Sequence, residues 1–167
     1  MIVRATNKIL KISRIKTERS EDKNSKIFPG DWYANNIKTG HSGKLVTLFF
    51  HNHTKISIIC STKSLNIAIR QLPDRVKNYL NRHGFNSLIE KFDLDSEIKI
   101  YRTSSRSTLA FMNQLSANIE WHLSKADTLV DFDYNKLEDI HSDFLFSING
   151  NPNKYETPIE ILNRHIQ

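Results

Sequence analysis

The stretch TSSRSTLAFMNQLSANIEWHL, residues 103–123, sets the fold class. Leu109, Met112, Leu115, Ser116, Ile119 and Leu123 recur every three or four residues, the spacing of one face of an α-helix. Thr103, Ser104, Ser105, Arg106 and Ser107 stand in front of that face. A helix start leaves backbone N–H groups without partners, and any of these hydroxyls can cap it. Free N–H groups, hydroxyls and an arginine at one helix start can also hold an anion. A helix this long needs an apolar surface of similar length, and a sheet is the surface that supplies one.

The strands for that sheet lie on either side. Residues 1–6 (MIVRAT) and 97–102 (EIKIYR) alternate apolar and polar positions. Residues 44–51 (KLVTLFFH) and 55–61 (KISIICS) are rich in β-branched and aromatic types, the strongest strands in the chain. Pro29-Gly30-Asp31 reads as a turn that feeds a strand, with Trp32, Ala34 and Ile37 inward and Asp31, Tyr33 and Asn35 on the opposite face. Residues 38–44 (KTGHSGK) read as a hairpin connection, so three segments form an antiparallel meander.

The helices follow from the same rules. Residues 7–15 suit a short helix capped by Thr6 or Asn7. Residues 64–72 are ambiguous, and Pro73 fits the first turn of a helix reaching about His83, with Gly84 as its stop. Residues 85–92 suit another short helix, and residues 131–148 a longer one ended by the turn signals at residues 149–152. Thr157 caps a last helix with Pro158 in its first turn. Residues 17–26 are charged and aperiodic and read as an exposed loop. The expectation is one α+β domain over residues 1–167. It has an antiparallel or mixed sheet of about five strands, a long central helix, and further helices mainly on one face.

Composition narrows the function classes. The chain has 167 residues, 38% of them hydrophobic and 25% charged, which describes a globular domain and not a disordered tail. Lysine and arginine outnumber acids 24 to 18, a net charge of +6, which favours nucleic acid or another polyanion as partner. One cysteine, Cys60, excludes an internal disulfide framework and fits a reducing, cytoplasmic setting. No run approaches the roughly 18 apolar residues of a membrane span, so no membrane partner is expected. The metal and cofactor signatures CxxC, HExxH, GxGxxG and the Walker loop are missing, so no metal site and no cofactor is expected. His51 and His53 can share one side of a strand, but a solvated strand end is the reading given to them.

Two groups of polar residues remain. Arg4, Thr6, Lys8, Arg102, Ser105, Arg106 and Ser107 are the anion-binding candidates, gathered at strand ends and a helix start. Asp31, Tyr33, Asn35 and Asn113 are the catalytic candidates, because these types suit acid–base work and oxyanion binding on a phosphorylated or acidic substrate. Each group also has a plain structural reading, as turn residue, local ion pair or satisfied core polar group.

RATNKILK at residues 4–11, GDWYANNI at 30–37, SRSTLAFMNQL at 105–115 and TPIEILN at 157–163 together resemble an uncharacterised bacterial domain family of unknown function. The resemblance covers nearly the whole chain in order. It implies no reaction, and it makes a plasmid, transposon or defence setting the expected context. Three functional readings stand: a nucleic-acid or polyanion binding module, an enzyme such as a nuclease or phosphate-handling protein with its site around Asp31 and Arg106, and a toxin–antitoxin-like protein-interaction module.

Overall fold

In a computed structural model the chain forms a five-stranded mixed sheet with helices on both faces. The structure describes residues 1–18, 28–103, 105–148, 151 and 153–166. Most of the charged loop, Ser104, and Asn149, Gly150 and Pro152 of the expected stop signal lie outside the described residues.

The sheet is built from β1 (Ile2–Ala5), β2 (Asp31–Lys38), β3 (Leu45–His51), β4 (Ser57–Cys60) and β5 (Lys99–Arg102), in the order β4-β3-β2-β1-β5. β2, β3 and β4 form the antiparallel meander. β1 runs parallel to both neighbours, with Arg4 opposite Tyr33 on one side and Tyr101 on the other. The segments 1–6, 31–36 and 97–102 thus share one sheet, as their alternation predicts.

The helices are α1 (Asn7–Ser13), α2 (Leu65–Arg82), α3 (Arg106–Ser124), α4 (Tyr134–Ser142) and α5 (Pro158–Ile166). They do not gather mainly on one face. α1, α2 and α5 cover one side through Ile9, Leu10, Leu72, Val76 and Leu162, packed on Val3, Trp32, Phe49 and Ile58. α3 and α4 cover the other through Met112, Leu115, Ile119 and Leu137, packed on Tyr33, Leu48, Phe50 and Ile59. Successive strand residues point to opposite faces, and in β2 and β3 both sets are apolar, so both faces need cover. Ile37 accordingly belongs to the core of Tyr33, not to that of Trp32.

α2 is one helix of 18 residues with Pro73 inside it, not a helix begun by Pro73. A proline there removes one backbone hydrogen bond. The unbroken buried stripe Leu65, Ala68, Leu72, Val76, Tyr79 and Leu80 holds the helix together across it. Residues 85–92 form two 3-10 turns, Asn86–Leu88 and Glu90–Phe92, not an α-helix. The helix expected over 131–148 is α4 alone, capped by Asp133, whose carboxylate accepts the Lys136 N–H at 3.1 Å. After it, β6 (Phe146–Ser147) pairs with β7 (Tyr155–Glu156). Thr157 and Glu160 then close a reciprocal capping box at the start of α5.

His51 is not a solvated strand end. It is buried against Trp32, with ring centroids 4.7 Å apart, and against Phe92 at 5.1 Å. Its Nδ1 accepts the Thr54 N–H at 3.2 Å, and burial pulls the ring pKa down to about 3. Gly30 makes the turn into β2 at φ +82°, and a Cβ there would stand 2.5 Å from the His53 ring.

Candidate functional site at the start of helix α3

β1 and β5 are adjacent and parallel, and the chain leaves their ends toward opposite faces, β1 into α1 and β5 into α3. Ligands of open sheets bind where neighbouring parallel strands diverge in this way. One set of polar residues of the second face, Tyr33 with Ser105, Ser107 and Thr108, collects there under the first turn of α3.

Ser105 is the N-cap of α3, and its hydroxyl accepts the Thr108 N–H at 3.3 Å. The same hydroxyl lies 2.9 Å from that of Thr108 and 3.3 Å from that of Ser107. Thr108 Oγ1 donates to Asn52 Oδ1 at 3.2 Å. Asn52 in turn donates its N–H to the Asp31 carbonyl at 3.0 Å, and its own carbonyl accepts from Lys55 Nζ at 2.6 Å. Asn52 therefore ties the helix start to the β3–β4 turn and to the first residue of β2.

Tyr33 lies beneath this node and is wholly buried. Its hydroxyl faces those of Ser105 and Thr108 yet closes no hydrogen bond of ordinary length among the described residues. Burial raises its pKa above the usual phenol value. Thr103 Oγ1, at the end of β5, is a second buried hydroxyl without a hydrogen-bond partner among the described residues. Buried polar atoms are nearly always paired, so these two hydroxyls, unpaired among the described residues, make the approach to this helix start the polar candidate of the second face.

Arg4 and Asp31 form a buried ion pair in the same face, Nε to Oδ2 at 2.6 Å, with the guanidinium 5.7 Å from the centre of the Tyr101 ring. Arg4 is thereby drawn into the core and does not stand at the surface beside Arg102 and Arg106. Arg102 is exposed, and its Nε donates to Asn7 Oδ1. Arg106 and Ser107 are exposed on the first turn of α3, and Lys8 is exposed on α1. Thr6 donates to Asn35 Oδ1 at 2.9 Å, so its hydroxyl links β1 to β2 and does not cap α1. Asn113 is exposed further along α3. The fold thus brings Tyr33, Ser105 and Ser107 to one place, pairs Arg4 with Asp31 and Thr6 with Asn35, and leaves Asn113 apart from both pairs and from the hydroxyl node. Asn52, Lys55 and Thr108 belong to the node and escaped the sequence reading. Only the left-handed backbone of Lys55, φ +62°, sets the turn apart, and a φ angle is invisible in a sequence.

A second polar network closes the outer edge of β4. Glu138 of α4 is buried and accepts the Ile59 N–H at 2.8 Å, Arg75 at 2.5 Å and Arg82 at 3.2 Å. Burial raises its pKa despite the two guanidinium groups. An unpaired strand edge is a template for association, and this carboxylate blocks it.

The arrangement defines a helix-flanked mixed-sheet domain with a cluster of hydroxyls at a strand divergence. The chain belongs to the family described as Domain of unknown function (DUF6933), whose model matches residues 2–161. No curated protein and no solved structure matches the chain.

Proposed function

We propose that this protein is a binding module for a phosphate-bearing polyanion, nucleic acid foremost, and that the start of α3 is where a phosphate is held. The observation that carries this reading is the wholly buried Tyr33 hydroxyl, which faces the Ser105-capped helix start without a hydrogen-bond partner among the described residues. A phosphate oxygen accepts hydrogen bonds and favours a helix N-terminus, where N–H groups and the helix dipole both point outward. Arg106 and Ser107 are exposed on that turn, and the net charge of +6 favours a polyanion over an isolated phosphate.

Fluorescence anisotropy with labelled single-stranded RNA and DNA, and with polyphosphate as competitor, tests the reading. Affinity should fall steeply between about 50 and 200 mM salt, as counterion release requires. Arg106→Ala should weaken binding across all sequences and lower the salt slope by about 1. A surface arginine at a helix start contributes under about 1 kcal/mol to stability, so the melting temperature should barely move. Absence of binding at low salt sinks the reading, and so does a large loss of melting temperature with affinity unchanged.

A further inference from the structure

The antiparallel pairing of Thr47 with Cys60 sets the start of β3 beside the end of β4, so the chain before Leu45 and the chain after Cys60 leave the sheet together. A cavity of about 400 Å³ opens there, and residues on the approach to α4 complete its lining. That volume falls within the roughly 300–1,000 Å³ of small-molecule sites. The lining is of two kinds. Val46, Leu129, Val130 and Tyr134 are apolar or aromatic, and Val130 is 81% exposed, an apolar side chain left to water. Lys44 and Lys63 are cationic and exposed. Neither forms an ion pair among the described residues, and none of the described residues lining the cavity is acidic. Both lysines stand on fixed backbone. The Lys44 carbonyl accepts from the hydroxyl of buried Thr39 at 3.1 Å, and the Lys63 carbonyl accepts from the side-chain amide of buried Asn36 at 3.1 Å. Asn36 Oδ1 in turn accepts from the Thr47 hydroxyl at 3.1 Å, which ties the anchor to β3. Two ammonium groups brought to one cavity repel each other, and an anion between them turns that repulsion into attraction.

We propose that this cavity is a binding site for a small organic anion with a flat apolar body, its charged head taken by Lys44 and Lys63 and its body laid against Leu129, Val130 and Tyr134. A carboxylate or phosphate head offers acceptors to both ammonium groups, and such charge-assisted bonds are stronger than neutral ones. An apolar body gains by covering side chains that otherwise face water. A flat body suits the Tyr134 ring, against which a second ring can stack. The site is separate from the start of α3. Asn52, which receives Thr108 there, follows the last residue of β3, whereas Leu45 is its first. At about 3.3 Å per residue the length of the strand puts about 20 Å between the two places.

Amide NMR of the isotope-labelled full chain, titrated with 2-naphthoate, 2-naphthyl phosphate, 2-naphthamide and 2-naphthylmethylamine, tests this. Naphthoate or naphthyl phosphate should shift the signals of Gly43, Lys63, Leu129 and Val130 to saturation, and the tighter of the two identifies the head group. Two exposed ion pairs should favour the anions over the neutral amide by about fivefold, and the cationic amine should not bind. Lys63→Gln should weaken the anions about two- to threefold. Val130→Asp, which plants a carboxylate in the lining, should abolish their binding. Both side chains are exposed, so the variants should keep the fold, and circular dichroism checks it. Absence of a saturable shift with either anion at millimolar concentration overturns the proposal. So do equal affinities for anion, amide and amine, shifts gathered at the start of α3, or undiminished binding in the folded Val130→Asp variant. The probes carry no polymer of phosphates, so the outcome is independent of polyanion binding.

Discussion

The two faces of the sheet solve the same burial problem with different materials. The face under α1, α2 and α5 is closed by aliphatic and aromatic side chains, with His51 held neutral among the rings. The face under α3 and α4 buries a comparable apolar core and adds the Arg4–Asp31 pair, Glu138, His141, Thr108 and the Tyr33 hydroxyl. Burying a charge or an unpaired hydroxyl costs stability unless a partner repays it. Neutral polar groups are buried on the first face too, in Asn36, Thr47 and His51, so the fully buried Arg4–Asp31 ion pair is what sets the second face apart among the described residues.

The sharpest way to break the comparison is to unbalance the ion pair. Arg4→Met removes one partner and leaves the Asp31 carboxylate buried. Losing one member of a buried pair costs about 3–5 kcal/mol. Leu72→Ala on the other face removes only packing and should cost about 2–5 kcal/mol, according to how far the site collapses. Chemical denaturation ranks the two, and hydrogen exchange sharpens them. The Arg4 variant should lose protection first in β1, β2 and β5, the Leu72 variant first in α2. An Arg4 variant as stable as the parent would mean that the buried pair contributes nothing net to folding.

Acid tests both faces at once. His51 is held at about 3 and His141 at about 4, both by burial. His141 Nδ1 lies 3.2 Å from Ser57 Oγ and its Nε2 3.0 Å from Asn118 Oδ1, a set that a neutral ring satisfies. Folded values below the unfolded value of about 6.5 mean that the unfolded chain binds more protons in acid. The stability from these rings is thus complete above pH 6.5 and is lost as pH falls toward their folded values. Each ring should contribute a slope of about 1.4 kcal/mol per pH unit in that window. His141→Gln should halve the combined slope, and urea midpoints that stay flat from pH 6.5 to 4.5 would contradict both burials.

Much of this architecture was legible because it is local. The alternation of residues 1–6 and 44–51, the stripe from Met112 to Leu123 and the Thr157-Pro158 start each depend on neighbours in sequence. The division of helices between the faces was legible only in part. Thr47, Phe49 and His51 alternate with Val46, Leu48 and Phe50, and both sets are buried, which is the mark of a strand covered twice. Pro73 misled because a local breaker was outweighed by a buried stripe running through it. The site was the least legible. Arg4 and Asp31 are 27 residues apart and Asn52 and Thr108 are 56 apart, so their pairing follows from the strand order and from no spacing rule.

The smallest expected effect is the most informative. Tyr33→Phe deletes one oxygen from a fully buried ring and changes nothing else in the apolar contacts with Leu48, Phe50 and Met112. Removing a bonded hydroxyl leaves its partner unsatisfied and costs about 1–3 kcal/mol. Removing an unbonded one relieves a desolvated dipole and should leave stability unchanged or raised by up to about 1 kcal/mol. With no hydrogen bond of ordinary length to the Tyr33 hydroxyl among the described residues, denaturant midpoints of the variant should match or exceed the parent. On the proposed binding reading, oligonucleotide affinity should fall in the same variant, because one hydroxyl of the set with Ser105 and Thr108 is lost. A loss of stability above about 1.5 kcal/mol would mean that the hydroxyl already bonds within the protein. The start of α3 would then be an ordinary capped helix terminus, and the exposed Arg106 would be a solvated charge beside it.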